Sequence, residues 1–387
     1  MPLTAPPQPR TRVTWDVFCR VVDNHGDAGV CWRLAADLAS RGVKVRLWID
    51  DARALDWMAP EGRTGVEVRP WPAADDAFAI TATEPATVVI EAFGCGLPEP
   101  CLRYLARAHQ QSTAPVWINL EYLSAEAYVE RSHGLPSLQG SGLACGLTSW
   151  YFYPGFTART GGLLRASDLL QRQAAFSREA WLADLGVAVQ PGERLVSLFC
   201  YANPHVPELL QALAARPTLL LTTPGHASDQ VAQAMAQSGA WDNVRIHPLP
   251  WLTQLDYDHL LMCCELNLVR GEDSLVRAIW AGRPFLWQIY PQHDGAHAAK
   301  LAAFLTRASQ AAEPAVAEAI RRAAWRWNHL STTADHEAWS LLNSPSQMSA
   351  WAQSCSAWRS DLLAQTDLTA QLMAFANARS SLQQAKI

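Results

Sequence analysis

The chain has 387 residues, 49% hydrophobic and 17% charged, with a formal net charge of −5. Its length exceeds what one hydrophobic core usually holds, which sets two domains as the expectation, and its composition excludes a disordered chain. A mildly acidic protein without a lysine- or arginine-rich run is not built for nonspecific attachment to nucleic acid or to an anionic membrane surface.

The opening MPLTAPPQPRTR is proline-rich and lacks the apolar stretch of a secretory signal. Residues 17–22 form an apolar run with β-branched valines and read as a buried strand. The run ends in the polar turn Asp23-Asn24-His25-Gly26-Asp27-Ala28-Gly29. Val30, Leu34 and Leu38 then repeat at helical spacing until Gly42 stops the helix. Strand, glycine turn and helix make the first unit of an open α/β sheet, where ligands bind at the carboxyl ends of strands. Further strands are predicted at 43–49, 65–68, 87–93 and 116–120, with helices at 52–58 and 99–109 between them. That alternation gives a parallel sheet. Residues 132–162, rich in glycine, aromatics and proline, read as an ordered functional loop region.

One or two helices at 166–186 lead through a linker into a second series of units. Strands are predicted at 195–201, 218–223, 244–247, 266–269 and 284–289, and helices at 207–215, 228–238, 255–264, 274–282 and 296–305. The remainder is largely helical, with tryptophan- and alanine-rich helices around 350–376 placed to pack back across both halves. The halves share an architecture but no sequence repeat. No apolar run reaches membrane-spanning length. Nine cysteines without a CxxC read as reduced, mostly buried thiols of a cytosolic protein.

Four constellations fall at strand ends. Asp23 and Asp27 flank a glycine turn and can converge on one pocket as a base and its electrostatic partner, or act as an Asx-turn and a helix cap. Arg270-Gly271-Glu272-Asp273-Ser274 opens a helix whose free N–H groups suit a phosphate, with Arg270 as a fixed cation. There Glu272 and Asp273 are placed to accept bonds from sugar hydroxyls or from the helix's own N–H groups. His293, Asp294 and His297 resemble metal ligands in type, yet their spacing matches no common zinc signature, so no metal site is expected. The segments 199–204 and 251–254 offer aromatic faces and the amide of Gln254, which suits a nucleobase or core packing. The fingerprints GxGxxG, GxxxxGK[ST] and GxSxG are all missing, which argues against a dinucleotide dehydrogenase, a P-loop NTPase and an α/β-hydrolase.

Two Rossmann-like halves with a nucleotide clamp in the second point to a GT-B glycosyltransferase. The strings FCRVVDNHGDAGVCWRLA, IEAFGCGLP, INLEYLSAE, HGLPS, PGFT with TGGLLR, and RGEDSLVRAIWAGRPFLWQIYPQHDGAH resemble the EarP family, the protein-arginine rhamnosyltransferases of elongation factor P. The resemblance runs from about residue 15 to at least 305. It implies a cytoplasmic bacterial enzyme that moves L-rhamnose from dTDP-β-L-rhamnose to an arginine of elongation factor P, with inversion, without a metal or cofactor, and without nucleic-acid or membrane partners. By the resemblance, Asp23 and Asp27 match the family's paired aspartates and Glu272 its catalytic glutamate. Asp273 and Ser274 match its donor-phosphate contacts, and Tyr201, Gln254 and Arg270 its donor-binding tyrosine, glutamine and arginine. His25 stands where the family often has an aromatic residue. The implied division is 1–160 for an acceptor-binding domain, 161–190 for linker helices, 191–345 for a nucleotide-sugar-binding domain and 346–387 for a helical tail. Small-molecule GT-B transferases, epimerases of that fold and nucleotide-sugar sensors are the competing readings.

Overall fold

The computed structural model describes residues 13–22, 25–71, 85–239, 241–292, 295–331 and 337–384. Asp23, Asn24, His293 and Asp294 lie outside the described residues.

The first half holds β1 (Thr14–Cys19), α1 (Gly26–Ser40), β2 (Lys44–Ile49), α2 (Leu55–Met58), β3 (Val66–Pro70), β4 (Val88–Ala92), α3 (Glu99–Gln110), β5 (Val116–Leu120), α4 (Ala127–Ser132), β6 (Pro136–Leu138) and β7 (Thr148–Phe152). Its sheet runs β3-β2-β1-β4-β5-β7-β6, parallel except for the antiparallel edge strand β6. The central strands are apolar on both faces because helices cover both. The buried charges among them have partners: Asp16 accepts from Arg46 across the β1–β2 pair at 2.6 and 2.8 Å and from Trp48 Nε1 at 2.9 Å, and Glu91 accepts from Gly96 N at 2.9 Å and Trp117 Nε1 at 3.1 Å.

β1 ends three residues before the predicted limit. Beyond Cys19 the backbone amides are taken by side chains rather than by a neighbouring strand: Val21 N donates to Asp50 Oδ1 and Val22 N to Asp27 Oδ2. The strand predicted through residue 93 stops at Ala92 because Phe93 takes a left-handed backbone, φ 58°. Within the region read as loop, β6 and β7 form a hairpin at the sheet edge. The TGG turn after it serves packing. Gly162 has φ 72°, and a Cβ there would lie 2.6 Å from the carbonyl oxygen of Thr366.

The second half opens with the short helices α5 (Leu169–Ala175) and α6 (Arg178–Asp184). It continues through β8 (Arg194–Leu198), α7 (Val206–Leu213), β9 (Thr218–Thr222), α8 (His226–Ser238), β10 (Val244–Pro248), α9 (Gln254–Cys263), β11 (Leu266–Arg270), α10 (Gly271–Ala281), β12 (Phe285–Gln288), α11 (Ala296–Ala308) and α12 (Pro314–Trp327). Its five strands, ordered β10-β9-β8-β11-β12, are all parallel. The turn from β11 into α10 takes place at Gly271, φ 66°, so the helix starts three residues earlier than predicted.

The tail ties the halves together. α13 (Pro345–Leu363) buries Trp351, Cys355, Trp358 and Leu362 in the core of the second half. α14 (Leu368–Gln384) buries Leu368, Leu372 and Ala376 in the core of the first. The two connections between the halves run side by side, with Arg165 donating to the carbonyl of Leu363 at 2.8 Å and Leu368 N to that of Leu163 at 3.0 Å. Among the described residues no helix is long and apolar enough to cross a membrane.

Candidate active site

The N-terminus of α1 faces the N-termini of α9 and α10 across the cleft between the halves. Close approach depends on Gly29, where a Cβ would lie 3.3 Å from Gln254 Nε2 and 3.4 Å from Asp273 Oδ2. Gln254 Nε2 instead donates to the Gly29 carbonyl at 3.0 Å. One turn along α1, Arg33 reaches Asp258 with both terminal nitrogens at 2.9 and 3.2 Å, Asp273 with Nε at 3.2 Å and the Gln254 carbonyl at 3.1 Å. Burial pulls the Arg33 pKa down, and the carboxylates of Asp258 and Asp273 more than offset it, so its charge is secure. Asp273 is therefore the partner of an arginine from the other half, with Arg277 at 3.9 Å on its far side.

The start of α10 lines the cleft, and no side chain caps it. Glu272 and Asp273 stand in its first turn and do not serve as caps, and the Ser274 hydroxyl turns back to donate to the Arg270 carbonyl. The N–H groups of this turn, with the positive end of the helix dipole, are of the kind that can hold an anion. Arg270 supplies a cation. The guanidinium lies 4.5 Å over the ring of Phe199 and 4.5 Å over that of Tyr201. No carboxylate pairs with it among the described residues, so the rings hold it in place without neutralising it. Tyr201 is itself fixed edge-on to Tyr290, and its N–H donates to Gln288 Oε1 at 2.8 Å.

An aromatic wall drawn from both halves closes the mouth. Trp57 and Trp251 lie 4.6 Å apart, and the His25 ring meets each edge-on at 5.3 and 5.9 Å. Burial, then the Arg270 charge, hold His25 below its ordinary pKa, which keeps it neutral. The cleft that these rings line reaches Arg270 and the first turn of α10.

Asp27 is 3% exposed at the second position of α1. It does not cap the helix; Oδ2 accepts from Val22 N at 2.8 Å and Oδ1 faces the Tyr122 hydroxyl at 3.4 Å. Glu272 accepts from Leu123 N at 2.8 Å and from Lys300 Nζ at 2.7 Å. Burial holds its carboxyl above the usual range despite these donors, and the charge of Asp27 adds to the rise.

Of the residues singled out in the sequence, Tyr201, Gln254, Arg270, Glu272, Asp273 and Ser274 line this one cleft, and Asp27 borders it beside Gly26. Asp23 lies outside the described residues. His297 closes its own loop, accepting from Gln292 N at 3.2 Å. Among the described residues no three His, Cys, Asp or Glu side chains converge as a ligand set for a metal. Sequence reasoning missed Arg33, Tyr122 and Lys300. The first two lie inside quoted strings and gave no separate signal. Lys300 gave one: the chain has only three lysines, Lys44, Lys300 and Lys386.

Two parallel-sheet, Rossmann-like domains facing across a cleft, with a terminal helix returning to the first, make this a glycosyltransferase of the GT-B class. A glycotransferase of kitacinnamycin shares the architecture at a TM-score of 0.51 and 16% identity, over 95% of this chain and 99% of that one. Residues 15–377 match the model of the family described as Elongation-Factor P (EF-P) rhamnosyltransferase EarP, and the chain belongs to that family. It is 42% identical over 385 residues to the protein-arginine rhamnosyltransferase of Pseudomonas aeruginosa, covering 94% of this chain and 98% of the relative. The corresponding protein of Neisseria meningitidis serogroup B is 35% identical over 389 residues, covering 94% and 96%. A solved structure described as the basis for EarP-mediated arginine glycosylation of translation elongation factor EF-P aligns with a TM-score of 0.63 and 29% identity, over 95% of this chain and 99% of that one.

Proposed function

We propose that this enzyme transfers L-rhamnose from dTDP-β-L-rhamnose to one arginine side chain of translation elongation factor P, inverting the anomeric carbon and activating the factor. It works in the bacterial cytosol, where translation takes place. One observation carries the reading. A carboxylate of the first domain, Asp27, and one of the second, Glu272, meet at the adjacent residues Tyr122 and Leu123, beside an uncapped helix start and the ring-held Arg270. The family membership and the relatives' names support the acceptor.

The chemistry fits these groups. A guanidinium stays protonated at physiological pH and is a poor nucleophile until a carboxylate localises its charge and accepts its proton. Asp27 is the general base, and Asp23, four residues before it in the sequence, orients the guanidinium. As the arginine nitrogen bonds to the anomeric carbon, the bond from that carbon to the diphosphate oxygen breaks and Asp27 takes the proton. The charge that appears on dTDP is met by Arg270 and by the N–H groups at the start of α10, so the step needs no metal. The aromatic residues of the second domain hold the base, with Tyr201, Gln254 and Ser274 fixing the donor around them. Asp273, placed beside the phosphates through its bond to Arg33, joins closure to donor binding. Glu272 serves the sugar and the incoming guanidinium.

The stereochemical part is tested by nuclear magnetic resonance of the modified arginine peptide. An α-linked rhamnose from the β-configured donor is expected; a β-linkage overturns the single displacement.

A further inference from the structure

The strand β5 ends in Glu121-Tyr122-Leu123-Ser124, and two neighbouring residues of that turn touch the two carboxylates given roles above. The Tyr122 hydroxyl points at Asp27 Oδ1, 3.4 Å away, and the Leu123 N–H donates to Glu272 Oε2 at 2.8 Å. Asp27 belongs to the first domain and Glu272 to the second, 245 positions apart in the sequence. The Tyr122 ring is fixed on its own account. Phe93 stacks on it at 4.5 Å and 13°, and Phe93 holds a left-handed backbone, φ 58°, to reach that position. Such a conformation is strained in a residue with a side chain and survives where the surroundings impose it. The ammonium of Lys300 also lies over the Tyr122 ring, at 5.7 Å, while forming its ion pair with Glu272 at 2.7 Å. Tyr122 is 37% exposed, so its place comes from these contacts and not from burial in a core.

We infer that Tyr122 is a positioning residue of the transfer reaction: held between Phe93 and Lys300, its hydroxyl aims the Asp27 carboxylate at the acceptor guanidinium, in register with Glu272. The inference rests on Asp27 acting as the base. A distance of 3.4 Å is long for a hydroxyl–carboxylate bond, and such bonds in ligand-free sites shorten when substrate binds. The role also gives the INLEYLSAE segment a task that donor binding leaves unassigned.

Steady-state kinetics of Tyr122→Phe, with Asp27→Asn alongside, test this. The ring and its stacking remain in Tyr122→Phe, and only the hydroxyl is lost. The expected result is a fall in kcat of about tenfold, the weight of one hydrogen bond to a charged group, with unchanged KM for donor and acceptor and an unchanged melting temperature. Unchanged kcat in Tyr122→Phe while Asp27→Asn is inactive overturns the positioning role and leaves the base intact. A raised acceptor KM at normal kcat makes Tyr122 an acceptor contact and also overturns it. Normal transfer by Asp27→Asn overturns the base itself. Phe93→Leu leaves the hydroxyl and removes the ring behind it. A smaller fall in kcat at constant KM is expected there, and unaltered kcat contradicts the inference even if Tyr122→Phe fails to fold.

Discussion

In the proposed reaction Asp27 and Arg270 divide the work of the site by charge. Asp27 is buried, with Oδ2 accepting from Val22 N and Oδ1 facing the Tyr122 hydroxyl. Asp27→Asn is expected to abolish transfer while dTDP still binds, as read by calorimetric titration; transfer at the normal rate contradicts the base assignment. Arg270 has aromatic rings where most buried arginines have a carboxylate. Arg270→Ala is expected to weaken dTDP binding by about 1.5–3 kcal/mol, the worth of a charge-assisted hydrogen bond, and unchanged affinity contradicts its place on the diphosphate. These residues were legible in the sequence because they sit in compact strings at predicted strand ends. Arg33, Tyr122 and Lys300 were not. Arg33 acquires meaning through Asp258 and Asp273, more than two hundred positions away, and no local pattern encodes such a pairing.

At the scale of elements, the parallel strands were readable because burial on both faces makes them continuous apolar runs, as in Val88–Ala92 and Leu266–Arg270. The hairpin β6–β7 was not, because its short edge strands are only partly buried and bounded by glycine and proline. The neighbouring turn read as functional is a packing device. Gly162→Ala is expected to destabilise the protein by about 2–4 kcal/mol, from a left-handed backbone and the approach to the Thr366 carbonyl. A melting temperature equal to that of the unaltered protein contradicts this. The element pair α7–α12 carries an acid dependence. Arg326 bonds Glu208 at 2.6 and 2.9 Å and lowers its pKa to about 2. A carboxyl depressed in the folded state adds stability above its unfolded pKa, which is lost as pH falls toward 2. With the Glu208 side chain 40% exposed the effect is small, under about 1 kcal/mol. The melting-temperature gap between the unaltered protein and Glu208→Gln is expected to narrow from pH 6 downward, and a constant gap contradicts the assignment.

Over the whole molecule, two connections and the contacts that Arg33 makes beside them hold the domains together. Arg33 is proposed as the latch, because it bonds Asp258, Asp273 and the Gln254 carbonyl from across the cleft. Arg33→Met is expected to cost about 2 kcal/mol, less than a fully stranded buried charge because Arg172 remains 3.7 Å from Asp258. Small-angle scattering without dTDP is expected to show a larger radius of gyration for that variant, and identical profiles contradict the latch. In the proposed reaction the cleft excludes water from the donor, and Asp27 and Glu272 meet at the neighbouring residues Tyr122 and Leu123. The central claim is that this closed cleft glycosylates a protein. Its most direct test is the intact mass of elongation factor P after incubation with the enzyme and dTDP-β-L-rhamnose. The expected result is one added deoxyhexosyl residue, mapped to an arginine and absent with Asp27→Asn. Unmodified elongation factor P, with the donor consumed on a small acceptor instead, would contradict the account.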